Sequence, residues 1–199
     1  MSFTGGEKGK KLWRLQGFVS QGDEGAFREI FDLYFTCLSQ FAFSLVKSKE
    51  AATDVVDEVF IRLWNNRSNI TAIQNLKVYL YQAVKNSSLN YLSRRAHLHI
   101  YEPFDDISIQ LKDDHNPERL MITTEILQRI RESVDTLPPR CKMIFKLVRE
   151  DGLSYKEVAE VLNLSVKTVD AQMVIAVGRI REMVKGHLDM SPRKAPQKK

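Results

Sequence analysis

The chain has 199 residues, 43% hydrophobic and 28% charged, which is enough apolar material for one or two small cores and excludes disorder throughout. No apolar run approaches the ~18 residues that a membrane-crossing helix needs, and the lysine-bearing start, MSFTGGEKGKKLW, lacks the apolar segment and cleavage site of a secretory signal. A cytoplasmic protein is expected, with the formal net charge of +5 permitting an acidic partner.

Residues 1–16 carry no sustained pattern and are expected to be flexible. All six prolines lie at or after Pro103, so the first hundred residues are free to form long helices. A helix is predicted from Ala26 to about Val46, with Phe27, Ile30, Phe31, Tyr34, Leu38 and Phe41 facing inward. In the next, Val55, Val56, Val59, Phe60, Leu63 and Trp64 form one helical face, with Asp54, Asp57 and Glu58 on the other side. A third is predicted from Leu76 to Arg95, burying Leu76, Leu80, Val84 and Leu89.

Charge is distributed in blocks. From Val59 to Tyr101 there is no Asp or Glu, whereas Arg62, Arg67, Lys77, Lys85, Arg94 and Arg95 all fall there. Glu102, Asp105, Asp106, Asp113, Asp114 and Glu118 follow, relieved only by Lys112. Such a pattern suits a surface that meets a polyanion, followed by a segment that does not. The acidic stretch loses helical periodicity, is bounded by Pro103 and Pro117, and is expected to be a linker over 99–120.

Periodicity returns at Ile122, Ile126, Leu127, Ile130 and Val134. Pro138 and Pro139 then start a helix carrying Ile144, Phe145, Leu147 and Val148, which stops at Gly152. Ser154-Tyr155-Lys156-Glu157 is a capping box, opening a short helix to Leu162 whose inner stripe is Val158, Ala159 and Leu162. Asn163 takes the turn position, because asparagine tolerates left-handed backbone. Ser165 caps a second helix, and Val169 packs it onto the first. A small residue, a turn former and a β-branched residue at these spacings between two caps make a helix-turn-helix, whose second helix enters the major groove of DNA. Ser165, Lys167, Thr168, Asp170, Ala171 and Gln172 are its candidate contacts, with Ser165 and Lys167 suited to phosphate and Gln172 to adenine. The end, SPRKAPQKK, is expected to be a disordered basic tail within 187–199.

The expected fold is therefore all-α: two small helical domains, 17–98 and 121–186, joined by the acidic linker. Cys37 and Cys141 are expected to be reduced, buried thiols. His97 and His99 sit close together, but beside a basic helix end they suit DNA better than metal. With no glycine-rich phosphate loop, nucleophile motif or metal-ligand spacing, neither an enzyme, a metal site nor a cofactor is expected. A response regulator or other activator could carry the same C-terminal hairpin, but the first hundred residues show no strand-bearing sensor domain.

Two separated motifs resemble the sigma-70 family of RNA polymerase sigma factors, specifically its two-domain extracytoplasmic-function (ECF) members. The first is Asp54-Val55-Val56-Asp57-Glu58-Val59-Phe60-Ile61-Arg62-Leu63-Trp64, followed by Leu76 through Asn86 and Asn90-Tyr91-Leu92-Ser93-Arg94-Arg95. The second runs from Leu137-Pro138-Pro139-Arg140 through Gly152-Leu153-Ser154-Tyr155-Lys156-Glu157-Val158-Ala159 to Arg181. The resemblance implies that 17–98 is sigma region 2 and 121–186 sigma region 4. It implies that Asp54, Asp57, Glu58 and Phe60 contact the clamp helices of the polymerase largest subunit. Arg67, Lys85, Asn86, Asn90, Tyr91, Arg94 and Arg95 would open the −10 element and, with the loop before their helix, hold a flipped base. The helix-turn-helix would read the −35 element, and the linker would thread toward the RNA exit path and the flap. Asp57 stands where many members have glutamine, Asn90 where aspartate is common, and Ile175 where a basic residue is usual. Loss of that cation implies a weaker −35 grip; alternatively the apolar surface there is a partner site, such as one for an anti-sigma factor.

Overall fold

The computed structural model describes residues 7–95 and 120–188, all its regular elements there being helical. The chain divides into two compact units, residues 1–103 and 104–199. The expected linker lies outside the described residues apart from Leu120, as do His97, His99 and the tail beyond Leu188.

In the first unit, α1 (Glu7–Ser20) begins inside the stretch expected to be flexible. Leu15 and Val19 bury one side of it against the unit. The turn after it needs Gly22 at φ 92°, a conformation costly for other residues. Asp23 then caps α2 (Glu24–Val46), its carboxylate accepting the Ala26 N–H at 2.9 Å. α2 ends at Lys47 in the left-handed region, and Ser48 caps α3 (Lys49–Asn65). A six-residue 3-10 turn (Arg67–Ala72) leads to α4 (Leu76–Arg95). α2, α3 and α4 pack mutually, and α1 closes over α2 and the 3-10 turn. Phe41 and Tyr81, both fully buried, meet at 5.2 Å between ring centroids at the centre, beside Ile30, Leu38, Val56, Leu80 and Val84. Each such side chain stabilises the unit by roughly 1.5–3 kcal/mol.

Leu89 departs from expectation: it is 42% exposed, while Ser87 and Ser88 take the inward positions of that turn. Thirteen residues beyond Leu76, Leu89 is rotated by about 220° around the helix, away from the stripe it was expected to extend.

In the second unit, α5 (Leu120–Asp135) and α6 (Pro139–Arg149) both pack on the long α8 (Val166–Leu188), and α7 (Tyr155–Leu162) packs on α6 and α8. Pro139 occupies the first turn of α6, where its missing N–H costs nothing. Gly152, at φ 62°, ends the connection that follows, and the Leu153 N–H reaches back to the Leu147 carbonyl at 2.9 Å. Neither cysteine forms a disulfide; Cys141 is buried and Cys37 only half-buried. Burial pushes the Cys141 thiol up from its ordinary range, against a smaller opposing pull from Arg179.

Lys146, within the apolar run of α6, is 1% exposed. Its ammonium lies 3.3 Å from carboxylates of both Glu150 and Asp151, at the C-terminal end of the same helix. Periodicity alone marks its apolar neighbours and passes over this buried charge cluster.

Candidate nucleic-acid interface

Two surfaces carry the residues singled out from sequence, one in each unit. In the first, Asp54 and Glu58 are exposed on the outer face of α3 and Asp57 half-exposed. Glu58 is ion-paired with Arg62 one turn on. Phe60 does not join them. It is 2% exposed, edge-on to Phe27 at 6.0 Å and tilted against Phe31 at 4.8 Å. The neighbouring Ile61, 60% exposed, is the apolar side chain that α3 presents outward. The helical face explains the difference: Phe60 follows Val56 by four residues and Ile61 follows Asp57 and Glu58.

The turn after α3 holds Arg67 by two contacts. Its guanidinium lies 4.7 Å from the Trp64 ring centroid, and Nη1 donates to the Trp64 carbonyl at 3.1 Å. Beyond it, Ser68, Asn69, Thr71 and Ala72 are exposed while Ile70 is fully buried. Asn75 opens α4, its side chain accepting the Val78 N–H at 3.2 Å.

On α4, Asn86, Asn90 and Arg94 recur at four-residue spacing and are all exposed, forming one polar stripe. Tyr79, exposed and seven residues before Asn86, shares that face. Sequence reasoning does not single it out; its position on the stripe is the signal that finds it. Lys85 and Tyr91 are half-buried and each lies about 100° to one side of its neighbour on the stripe. Burial holds the Lys85 ammonium below the ordinary lysine range. Arg95 ends the helix. The stripe is therefore narrower than the expected set. It is a row of amide and guanidinium groups with an aromatic at one end.

In the second unit the hairpin is built as its residues dictate. Ser154 Oγ accepts the Glu157 N–H at 3.3 Å, and Glu157 Oε2 accepts the Ser154 N–H at 2.8 Å, completing the capping box. Asn163 sits at φ 55°, ψ 50° in the turn. The Leu164 N–H donates to the Ala159 carbonyl at 2.8 Å. The chain bends by 111° between α7 and α8, and Val158, Ala159 and Val169 are buried in the crook. That crossing is the one a helix-turn-helix requires.

Ser165 Oγ accepts the Thr168 N–H at 3.0 Å and lies 2.8 Å from the Thr168 hydroxyl. Both hydroxyls are thus engaged in the cap. Lys167, Asp170 and Ala171 are exposed, and Gln172 is half-buried. Farther along, Val174, Ile175 and Val177 are exposed, so the apolar character expected of this helix does reach the surface. Among the described residues no single helix is long and apolar enough to cross a membrane, and no group of side chains has metal-ligand spacing.

Family comparison settles what these surfaces belong to. Residues 31–97 match the model of sigma-70 region 2, and residues 127–177 match that of sigma-70 region 4; together they span more than half the chain. The chain belongs to the sigma-70 family. It is of the ECF type. It is 28% identical over 162 residues to the ECF RNA polymerase sigma-E factor of Escherichia coli (strain K12), covering 78% of this chain and 84% of that protein. The corresponding factor of Haemophilus influenzae is 26% identical over 177 residues, covering 85% and 91%. Two solved structures share the fold. CnrH in complex with the cytosolic domain of CnrY has a TM-score of 0.52 and 21% identity, covering 91% of this chain and 99% of that one. The sigma factor RpoE in complex with the anti-sigma factor NepR from Bartonella quintana has a TM-score of 0.54 and 19% identity, covering 80% and 96%. The all-α expectation holds. In this sigma-70 family chain, α3, the 3-10 turn and α4 fall in region 2, and the hairpin falls in region 4.

Proposed function

We propose that the chain binds core RNA polymerase and directs promoter-specific initiation, with region 2 opening the −10 element and region 4 reading the −35 element. The observation that carries this is the coexistence of the two sigma regions with two separate surfaces. One is an acid-free stripe of Asn86, Asn90 and Arg94 ending in Tyr79; the other is a capped helix-turn-helix. Single-stranded DNA needs cations for its backbone and aromatic faces for its bases, which the first surface supplies. Duplex DNA needs a helix that fits the major groove, which the second supplies.

On this reading Asp54, Asp57, Glu58 and the exposed Ile61 form the polymerase contact, with Phe60 supporting α3 from beneath. Lys167, Asp170, Ala171 and Gln172 face the −35 element, and the serine at 165 shapes the helix end that they depend on. The free amides there favour a phosphate. Residues 17–98 and 121–186 act as the two functional domains, joined by 99–120, which runs toward the RNA exit path and the flap. The protein acts in the cytoplasm on chromosomal promoters and does no covalent chemistry of its own. An anti-sigma factor is a natural regulator, since the NepR complex shows such a partner on a chain of the same fold.

The polymerase contact has a direct check. Reversing Asp57 and Glu58 to lysine should weaken co-elution with core polymerase about tenfold, through lost charge complementarity. Folding should be unaffected, because the exposed Glu58–Arg62 pair contributes little. Unaltered core binding by the folded double variant would remove these residues from the contact.

A further inference from the structure

Gln16 is an amide on the inward face of α1, between Leu15 and the fully buried Val19, and only 3% exposed. Its Nε2 donates to the Ile70 carbonyl at 2.7 Å and to the Ile73 carbonyl at 3.0 Å. Both protons of one side chain are thereby spent on the turn between α3 and α4, more than fifty residues away. The two acceptors bracket Thr71 and Ala72, the exposed tip of that turn.

A 3-10 run of six residues is long for its kind and has weak internal hydrogen bonding, so it needs help from outside to hold one shape. α1 supplies that help at more than one point. While Gln16 ties the tip, the glycine turn at the end of α1 lies beside the start of the loop: a Cβ on Gly22 would stand 3.9 Å from Arg67 Nε. Arg67 itself is pinned to Trp64. The backbone is thus tied to α1 at 70 and 73, the Arg67 side chain is held at the loop's start, and Ser68, Asn69 and Thr71 are exposed to solvent.

We propose that Gln16 is a positioning residue for base selection at the −10 element: it preshapes the loop whose exposed polar side chains meet the flipped base. This rests on the reading of that loop as the base holder. A loop held in one conformation presents its donors and acceptors at fixed places, so a wrong base leaves them unpaired, whereas a loose loop adapts to several bases. Gln16 touches no DNA. Its effect is on discrimination between bases and not on the affinity of the polymerase for the protein.

The test uses holoenzyme reconstituted from core polymerase and Gln16→Met, which keeps the length of the side chain without its donors. Open-complex formation is measured on promoters carrying each base in turn across the −10 element, in parallel with Asn69→Ala and Thr71→Ala. Discrimination by Q16M should fall about tenfold, with core binding and −35 protection as in the parent protein. Retained discrimination in Q16M, where N69A or T71A alters it, overturns the role of Gln16 and leaves the loop reading intact. Retained discrimination in all three overturns both. Should Q16M fail to fold, Gln16→His keeps one ring N–H donor and serves instead. An intermediate loss of discrimination supports the proposal, and parental discrimination overturns it.

Discussion

Lys146→Met is expected to destabilise the helix-turn-helix unit by about 3–5 kcal/mol, the cost of leaving buried carboxylates without their cation. The ammonium is 1% exposed, and the Glu150 and Asp151 side chains beside it are 7% and 4% exposed. Methionine fills the same space as the lysine stem, so the loss is electrostatic and not a cavity. The cluster closes the end of α6, and Gly152 and the capping box of α7 follow directly. Losing it should therefore loosen the start of the hairpin. Hydrogen exchange in the full chain should show α6 to α8 opening more readily, with α2 to α4 unchanged. Adding Glu150→Gln and Asp151→Asn to K146M should restore much of the stability, since replacing a whole buried ion cluster is far less costly than breaking it. Parental stability in K146M alone would show that water already reaches the carboxylates.

Tyr79→Ala is the second large effect. The ring shares its helix face with Asn86 and Asn90 and is exposed, so removing it leaves the core intact. Stacking of a base on an aromatic ring is worth about 1–3 kcal/mol. Open-complex formation should accordingly fall roughly 5- to 150-fold, while core binding and −35 protection stay at parental levels. Permanganate reactivity of unpaired thymines across the −10 element reads this directly. Equal reactivity with Y79A would move the stacking role elsewhere on the stripe. Tyr91→Ala, about 120° from Tyr79 around the same helix and half-buried, should have the smaller effect.

The hairpin was legible because its rules are local. Ser154 and Glu157 are three residues apart and satisfy each other, Asn163 tolerates its own backbone, and Val169 lies one helical turn past the cap at Ser165. The long helices of the first unit were legible for the same reason, from periodicity and the absence of proline. Part of what escaped depends on distant partners. α1 looked unstructured because its inward face carries a glutamine, and that glutamine finds its acceptors 54 and 57 residues further on. Lys146 is passed over for another reason: apolar periodicity marks only its neighbours, although its carboxylate partners lie just four and five residues on. Phe60 matched a family motif by position, but its own helical face turns it into the core and leaves Ile61 outside. Along α4, the candidate residues formed one stretch in sequence and only part of one face in space.

Promoter selection by this chain is tested most directly in transcription by core RNA polymerase that lacks any sigma factor, supplied with the chain and linear promoter-bearing DNA fragments. Transcripts are expected from discrete start sites, each preceded by shared −10 and −35 elements, and none without the chain. No promoter selection, together with protection of duplex DNA by the chain alone, would contradict that expectation and make the protein an activator that works beside another sigma factor.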